Sequence, residues 1–183
     1  MRIEDGWLEG TRRSPSPHQD RRPDPGDVSL LVIHGISLPP SDFGGQWIDD
    51  LFMGRLDPNA HPYFREIAHL RVSAHLLIRR DGDVVQYVPF NARAWHAGVS
   101  RFDGREACND YSIGIELEGT DDLPYTDAQY AALAAASRAV LTAYPGIRPE
   151  RIVGHSDVAP GRKTDPGPAF DWPRYRSALR TPP

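Results

Sequence analysis

Apolar residues recur along the chain in several rhythms, and each rhythm predicts a different element. Val28-Ser-Leu-Leu-Val-Ile33 is β-rich and almost continuously apolar, the pattern of a strand buried on both faces of a central sheet, with His34 at its end. Tyr111 to Glu118 alternates instead, with Ile113, Ile115 and Leu117 on one face and Gly114, Glu116 and Glu118 on the other. Two β-rich runs, Val72 to Arg80 and Val84 to Val88, flank Asp81-Gly82-Asp83, so they predict an antiparallel hairpin.

Helical spacing appears at two places. Trp47, Ile48, Leu51 and Phe52 fall at i, i+1, i+4 and i+5 between the Gly44-Gly45 loop and Asp57-Pro58, which predicts a short helix. Thr126-x-x-Gln129 is a capping-box pattern at the head of an alanine-rich run from Ala128 to Tyr144, which Pro145-Gly146 ends. Arg151 to Val153 reads as a short strand leading into Gly154-His155. The segment after it, with Pro160, Gly161, Pro166, Gly167 and Pro168, reads as loops. Strands interspersed with helices imply an α/β fold, a mixed central sheet flanked by helices. One domain is expected over 1–183, with 1–27 as an extended lead-in whose stretch 11–27 is rich in Pro, Asp and Arg.

Composition narrows the function classes. With 39% hydrophobic and 25% charged residues the chain is balanced for a folded protein. The formal charge is -4, and the basic pairs Arg12-Arg13, Arg21-Arg22 and Arg79-Arg80 are too short to form a nucleic-acid footprint. The longest strongly apolar stretch, Val28 to Ile33, falls far short of the roughly 20 residues that span a bilayer. Glu4 and Asp5 interrupt an N-terminus with no apolar run of signal-peptide length, and Cys108 is the only cysteine. Both features lead to the expectation of a cytosolic protein.

His34 after the first core strand, His155 after a late strand and Asp165 ten residues further on are the candidate metal ligands. Two imidazoles and one carboxylate suit a catalytic zinc, which leaves a fourth position for water. Each has a plainer explanation: a hydrogen-bonded histidine at a strand end, a loop histidine in Gly-His-Ser-Asp, a turn-forming aspartate before Pro166-Gly167. Ligands about 120 residues apart carry no local signature, so spacing alone does not join them.

A resemblance joins them. Leu-Leu-Val-Ile-His-Gly-Ile-Ser-Leu-Pro-Pro (30–40), His-Leu-Arg-Val-Ser-Ala-His (69–75), Arg-Ala-Trp-His-Ala-Gly-Val-Ser (93–100), Cys-Asn-Asp-Tyr-Ser-Ile-Gly-Ile-Glu-Leu-Glu-Gly-Thr-Asp (108–121) and Gly-His-Ser-Asp-Val-Ala-Pro-Gly-Arg-Lys-Thr-Asp-Pro-Gly (154–167) carry it in order. Together they resemble the AmpD-type anhydro-N-acetylmuramyl-L-alanine amidases, within the wider group related to peptidoglycan recognition proteins and phage lysozyme-like amidases. The resemblance implies an amidase-like single domain with one zinc on His34, His155 and Asp165. It also implies Glu116 as the catalytic carboxylate and Lys163 as the electrophilic lysine. By pattern alone Glu118 is as good a candidate as Glu116, and Lys163 beside Arg162 reads as an exposed loop lysine.

By the same analogy Trp95 stacks on the sugar, Arg71 pairs with a peptide carboxylate and Tyr63 lines the cleft. His75 and His96 receive structural roles, and His18, His61 and His69 carry no signal. The chain departs from the family at Gly35, where close relatives usually have Asn, and that puts one substrate contact in question. The implied activity is hydrolysis of the bond between (1,6-anhydro-)N-acetylmuramic acid and L-alanine, by a cytosolic monomer recycling muropeptides. An indirect effect on β-lactamase induction follows in organisms that use that signal. The competing classes are a non-catalytic peptidoglycan-fragment binding module and an exported amidase acting on intact wall.

Overall fold

The computed structural model describes residues 1–180. Its strands are β1 (Ile3–Glu4), β2 (Trp7–Leu8), β3 (Arg12–Arg13), β4 (Gln19–Arg21), β5 (Leu30–Ile36), β6 (Leu76–Ile78), β7 (Val84–Gln86), β8 (Ala92–Ala94), β9 (Arg101–Phe102), β10 (Arg105–Glu106), β11 (Ser112–Glu118) and β12 (Ile152–Gly154). Its helices are α1 (Trp47–Phe52), α2 (Phe64–Ile67), α3 (Asp127–Ala143), α4 (His155–Val158) and α5 (Trp172–Arg180). Six strands form one sheet in the order β12-β5-β11-β6-β7-β3. The first four run parallel, β7 returns antiparallel on β6, and β3 lies parallel to β7 at the edge, so the sheet is mixed as the patterning predicted.

The buried strands follow from their apolar runs. Leu30, Leu31, Val32 and Ile33 have no exposed surface, because β5 has a neighbour on each side and cover on both faces. Leu31, Ile33, Ile113, Ile115 and Leu117 pack on one face against Leu133 and Val140 of α3 and Tyr175 of α5. A second cluster joins Ile48, Leu51 and Phe52 of α1 and Phe64 of α2 to Leu77, Val85 and Tyr87. The expected hairpin pairs Leu76 with Gln86 and Ile78 with Val84, and Gly82 at its tip has φ +88°, a left-handed conformation that glycine adopts without penalty. Thr126 and Gln129 close the capping box reciprocally, with bonds of 3.1 and 3.0 Å.

Three details differ from the reading of the sequence. β5 continues two residues past His34, and His155 opens the short helix α4 rather than lying in a loop. The lead-in carries β1 to β4 and is tied down by Arg22, whose buried guanidinium donates to the carbonyls of Phe90, Asn109, Asp110 and Ser112. Burial lowers the Arg22 pKa to about 10, and the charges of Asp110 and Asp27 only partly oppose it. The polar side of β11 is covered as well: every residue from Ser112 to Glu118 is buried. Among the described residues no helix is long and apolar enough to cross a membrane.

Candidate active site

Parallel register brings together residues that the sequence keeps far apart. Glu116 on β11 pairs with His34 on β5, and Gly154, the last residue of β12, pairs with Ile33. His155, one residue beyond Gly154, therefore falls level with His34 and Glu116. Strands lie about 4.8 Å apart, so positions 34, 116 and 155 form a row at the carboxyl ends of three adjacent parallel strands. That end of an open α/β sheet is where ligands characteristically bind.

Asp165 completes the row from the loop after α4. The Nδ1 atoms of His34 and His155 are 3.0 Å apart, and Asp165 Oδ2 lies 3.3 Å from the first and 3.1 Å from the second. All three sequence-predicted ligands thus present one donor atom each to a single point. The arrangement suits zinc: bonds of 2.0–2.1 Å in a tetrahedron place neighbouring ligand atoms about 3.3 Å apart. Three electron-pair donors facing one another are otherwise poorly matched, since an imidazole Nδ1 that donates to one neighbour cannot also accept.

The far side of each imidazole is also held. His155 Nε2 lies 3.3 Å from the Ala97 carbonyl, an acceptor only, so Nε2 carries the proton and Nδ1 is free to ligate. His34 Nε2 lies 2.9 Å from Nδ1 of His96, whose Nε2 reaches Ser112 Oγ at 3.1 Å. Burial lowers the His34 pKa to about 4, with Asp165 opposing and His155 reinforcing the shift. Burial pushes the Asp165 carboxyl up, but hydrogen bonds from His155 and His34 and their charges outweigh it, and the pKa ends well below the carboxylate range.

Glu116 is the outlier among the acids. It is buried, its Oε1 lies 3.9 Å from His34 Nδ1, and its Oε2 has no hydrogen-bond partner among the described residues. Burial raises its pKa well above the usual value, the Asp165 charge adds to the rise, and Lys163 opposes it. Glu116, Lys163, His155 and Asp165 line one cavity of about 320 Å³. Its other wall is apolar, formed by Leu38, Leu51, Phe52, Ile67, Leu70 and Val72.

Of the residues expected to contact substrate, Tyr63 and Trp95 line this cavity. Arg71 is exposed and lies over the Trp95 ring at 5.5 Å, while the indole nitrogen donates to Asp20 Oδ1 at 3.2 Å. Gly35 sits beside Asp165, and a Cβ there would meet the Tyr125 hydroxyl at 2.4 Å. The space a side chain at 35 would enter is held by that hydroxyl, which donates to the Pro166 carbonyl. His75 is fully buried and accepts from the Gly114 amide, a structural contact. His96, given a structural role by the sequence, touches the candidate ligand His34; the available signal is Gly114, where a Cβ would meet the His96 ring at 2.5–2.7 Å.

Residues 24–168 match the family model described as N-acetylmuramoyl-L-alanine amidase. The chain is 68% identical over 176 residues to the 1,6-anhydro-N-acetylmuramyl-L-alanine amidase AmpD of Escherichia coli strain K12, covering 96% of each chain. The crystal structure of a selenomethionine derivative of AmpD superposes with a TM-score of 0.96 at 65% identity, over 98% of this chain and 99% of that one. The amidase AmiD of E. coli, solved with anhydro-N-acetylmuramic acid-L-Ala-D-γ-Glu-L-Lys as substrate, is similar at a TM-score of 0.62 and 28% identity, over 94% of this chain and 60% of that one.

Proposed function

The chain belongs to the N-acetylmuramoyl-L-alanine amidase family, and from that premise we propose that it hydrolyses the amide between anhydro-N-acetylmuramic acid and L-alanine in soluble muropeptides. His34, His155 and Asp165 hold one zinc ion per chain. The observation that carries this reading is the convergence of their three donor atoms, at 3.0–3.3 Å, beside a buried carboxylate oxygen with no partner among the described residues. Bound there, zinc supplies an electrophile for an amide carbonyl and acidifies water toward a pKa of about 7.

The chain's own residues do the rest. Glu116 accepts the proton of the attacking water and returns it to the departing alanine nitrogen, a task served by a carboxyl whose pKa is raised. Lys163, on the same cavity wall, places its ammonium against the charge that develops on the carbonyl oxygen. Trp95 and Tyr63 offer flat faces to the sugar, and Arg71 at the Trp95 ring offers a fork to a stem-peptide carboxylate. The apolar wall from Leu38 to Val72 excludes water from the bond being cut.

In this reading the protein is a cytosolic monomer of one domain, 1–183, of which 181–183 lie outside the described residues. It clears recycled muropeptides and so lowers any signal for β-lactamase induction that they carry. Metal analysis of wild type and His34→Ala, with mass spectrometry of peptide released from an anhydromuropeptide, tests it. Zinc and released peptide are expected from the wild type alone. A wild-type protein that binds the fragment without metal and without turnover would be a binding module instead.

A further inference from the structure

The two imidazole ligands are oriented by unlike partners. His155 Nε2 faces the Ala97 carbonyl, which is itself pinned by the Arg162 guanidinium at 2.6 Å and can only accept. His34 Nε2 faces a third imidazole, whose Nδ1 either accepts or donates according to its tautomer. Ser112 Oγ, at the other end of that ring, has the same freedom.

Only one setting of the chain suits a metal. For His34 Nδ1 to offer its lone pair, its Nε2–H must donate to His96 Nδ1, and His96 Nε2–H must then donate to Ser112 Oγ. In the opposite setting Ser112 donates to His96, His96 donates to His34, and His34 Nδ1 carries a proton into the ligand cluster. We propose that His96, backed by Ser112, is a positioning residue that selects the metal-binding tautomer of His34. The inference rests on the zinc reading above.

The ring is held for this purpose on several sides. Asn109 Oδ1 accepts from the backbone amides of His96 and Ala97 at 3.2 and 2.8 Å, which fixes where the side chain starts. Gly114 supplies the face against which the ring lies, so near that any Cβ would meet three ring atoms within 2.7 Å. Ser112 and Gly114 alternate with the isoleucines of β11, on the side where Glu116 also lies, so one strand face supports both the ligand and the catalytic acid. Partners that orient a ligating histidine typically change metal affinity by about 10–100-fold when removed.

Zinc affinity of the metal-stripped protein, measured by competition with a chromophoric chelator, reads this without recourse to activity. His96→Leu is expected to weaken binding about 10–100-fold. His96→Asn, whose Oδ1 occupies the Nδ1 position and accepts from His34, is expected to restore most of it. In the zinc-loaded wild type, nitrogen NMR of labelled imidazoles should show His34 protonated at Nε2 and His96 also at Nε2.

Wild-type affinity in a cooperatively melting His96→Leu protein would overturn the proposal, as would a His96 ring protonated at Nδ1 in the zinc form. If His96→Leu does not fold, Ser112→Ala decides: several-fold weaker zinc binding with mixed His96 tautomers is expected, and an unchanged affinity and tautomer would refute the relay. His34→Ala separates the two readings, because zinc bound by that variant as tightly as by wild type would remove the metal site itself.

Discussion

Glu116 and Glu118 lie two residues apart on the same buried face of β11, and their surroundings are opposite. Both oxygens of Glu118 are engaged: its Oε1 accepts from the Gly44 amide at 2.7 Å and from Arg79 at 3.1 Å, and its Oε2 accepts from the Arg80 amide at 3.2 Å. Arg79 in turn bonds Asp49 at 2.6 Å, and Asp49 accepts from Tyr87, so the carboxylate belongs to a closed network. Glu116 leaves one oxygen without a partner among the described residues and lines a cavity. A buried carboxylate with both oxygens engaged holds strands together. One left unengaged costs stability, and it persists where chemistry uses it.

The largest effect should come from Glu116→Gln. Removing a general base costs about 10²- to 10⁴-fold in rate, so kcat for anhydromuropeptide should fall by that much, while zinc content and the melting temperature hold or rise because an orphaned charge has gone. A variant that loses melting temperature in step with activity would place Glu116 in the same class as Glu118.

Glu118→Gln should do the reverse. The neutral amide cannot accept from two backbone amides and a guanidinium at once, and breaking a buried ion pair costs about 3–5 kcal/mol. Urea unfolding should register that loss, with kcat of the folded fraction near wild type. A stable but inactive Glu118→Gln protein would show that the network reaches the reaction.

How much of this was legible in the sequence depends on range. The strand Val28 to Ile33, the Asp-Gly hairpin, the α1 stripe and the Thr126 capping box were readable because their signals are local. The row formed by His34, Glu116 and His155 was not, because it exists only through parallel register between strands about 80 and 120 residues apart, and the family resemblance had to supply it. Alternation also could not separate Glu116 from Glu118, since both share one face and differ only in who reaches them. The strands β1 to β4 are two or three residues long and held by backbone pairing and Arg22, so they leave no periodicity. His96 was visible only as a histidine in a family-like stretch; Gly114 opposite it marked a close approach that pattern reading passed over.

Acid titration of the metal-free protein sharpens the comparison further. The folded His34 pKa is lowered from 6.5 to about 4, so between those values the unfolded chain takes up a proton that the folded chain refuses. Its contribution to stability is intact above pH 6.5 and is lost as pH falls to about 4, a cost of about 3 kcal/mol. Glu116 works the other way: its folded pKa is raised, so falling pH protonates it first in the folded chain and stabilises the fold. Wild type should therefore lose less urea stability across this window than metal-free Glu116→Gln, in which the offset is gone. Parallel curves for the two proteins would mean that Glu116 does not carry its burial cost as an ionised group.

Tyr125→Phe should give the smallest effect, and it probes the boundary between the two kinds of polar group. The hydroxyl is buried and donates to the Pro166 carbonyl at 3.0 Å, next to Asp165 and over Gly35, so position alone does not say which role it serves. Its bond is complete, as those of Glu118 are, and completed bonds mark structure. Removing it should cost about 1 kcal/mol in urea unfolding, with zinc content and kcat close to wild type. A Tyr125→Phe protein of wild-type stability that fails to retain zinc would move this hydroxyl from the scaffold into the metal site, and satisfied hydrogen bonding would then no longer separate the two classes.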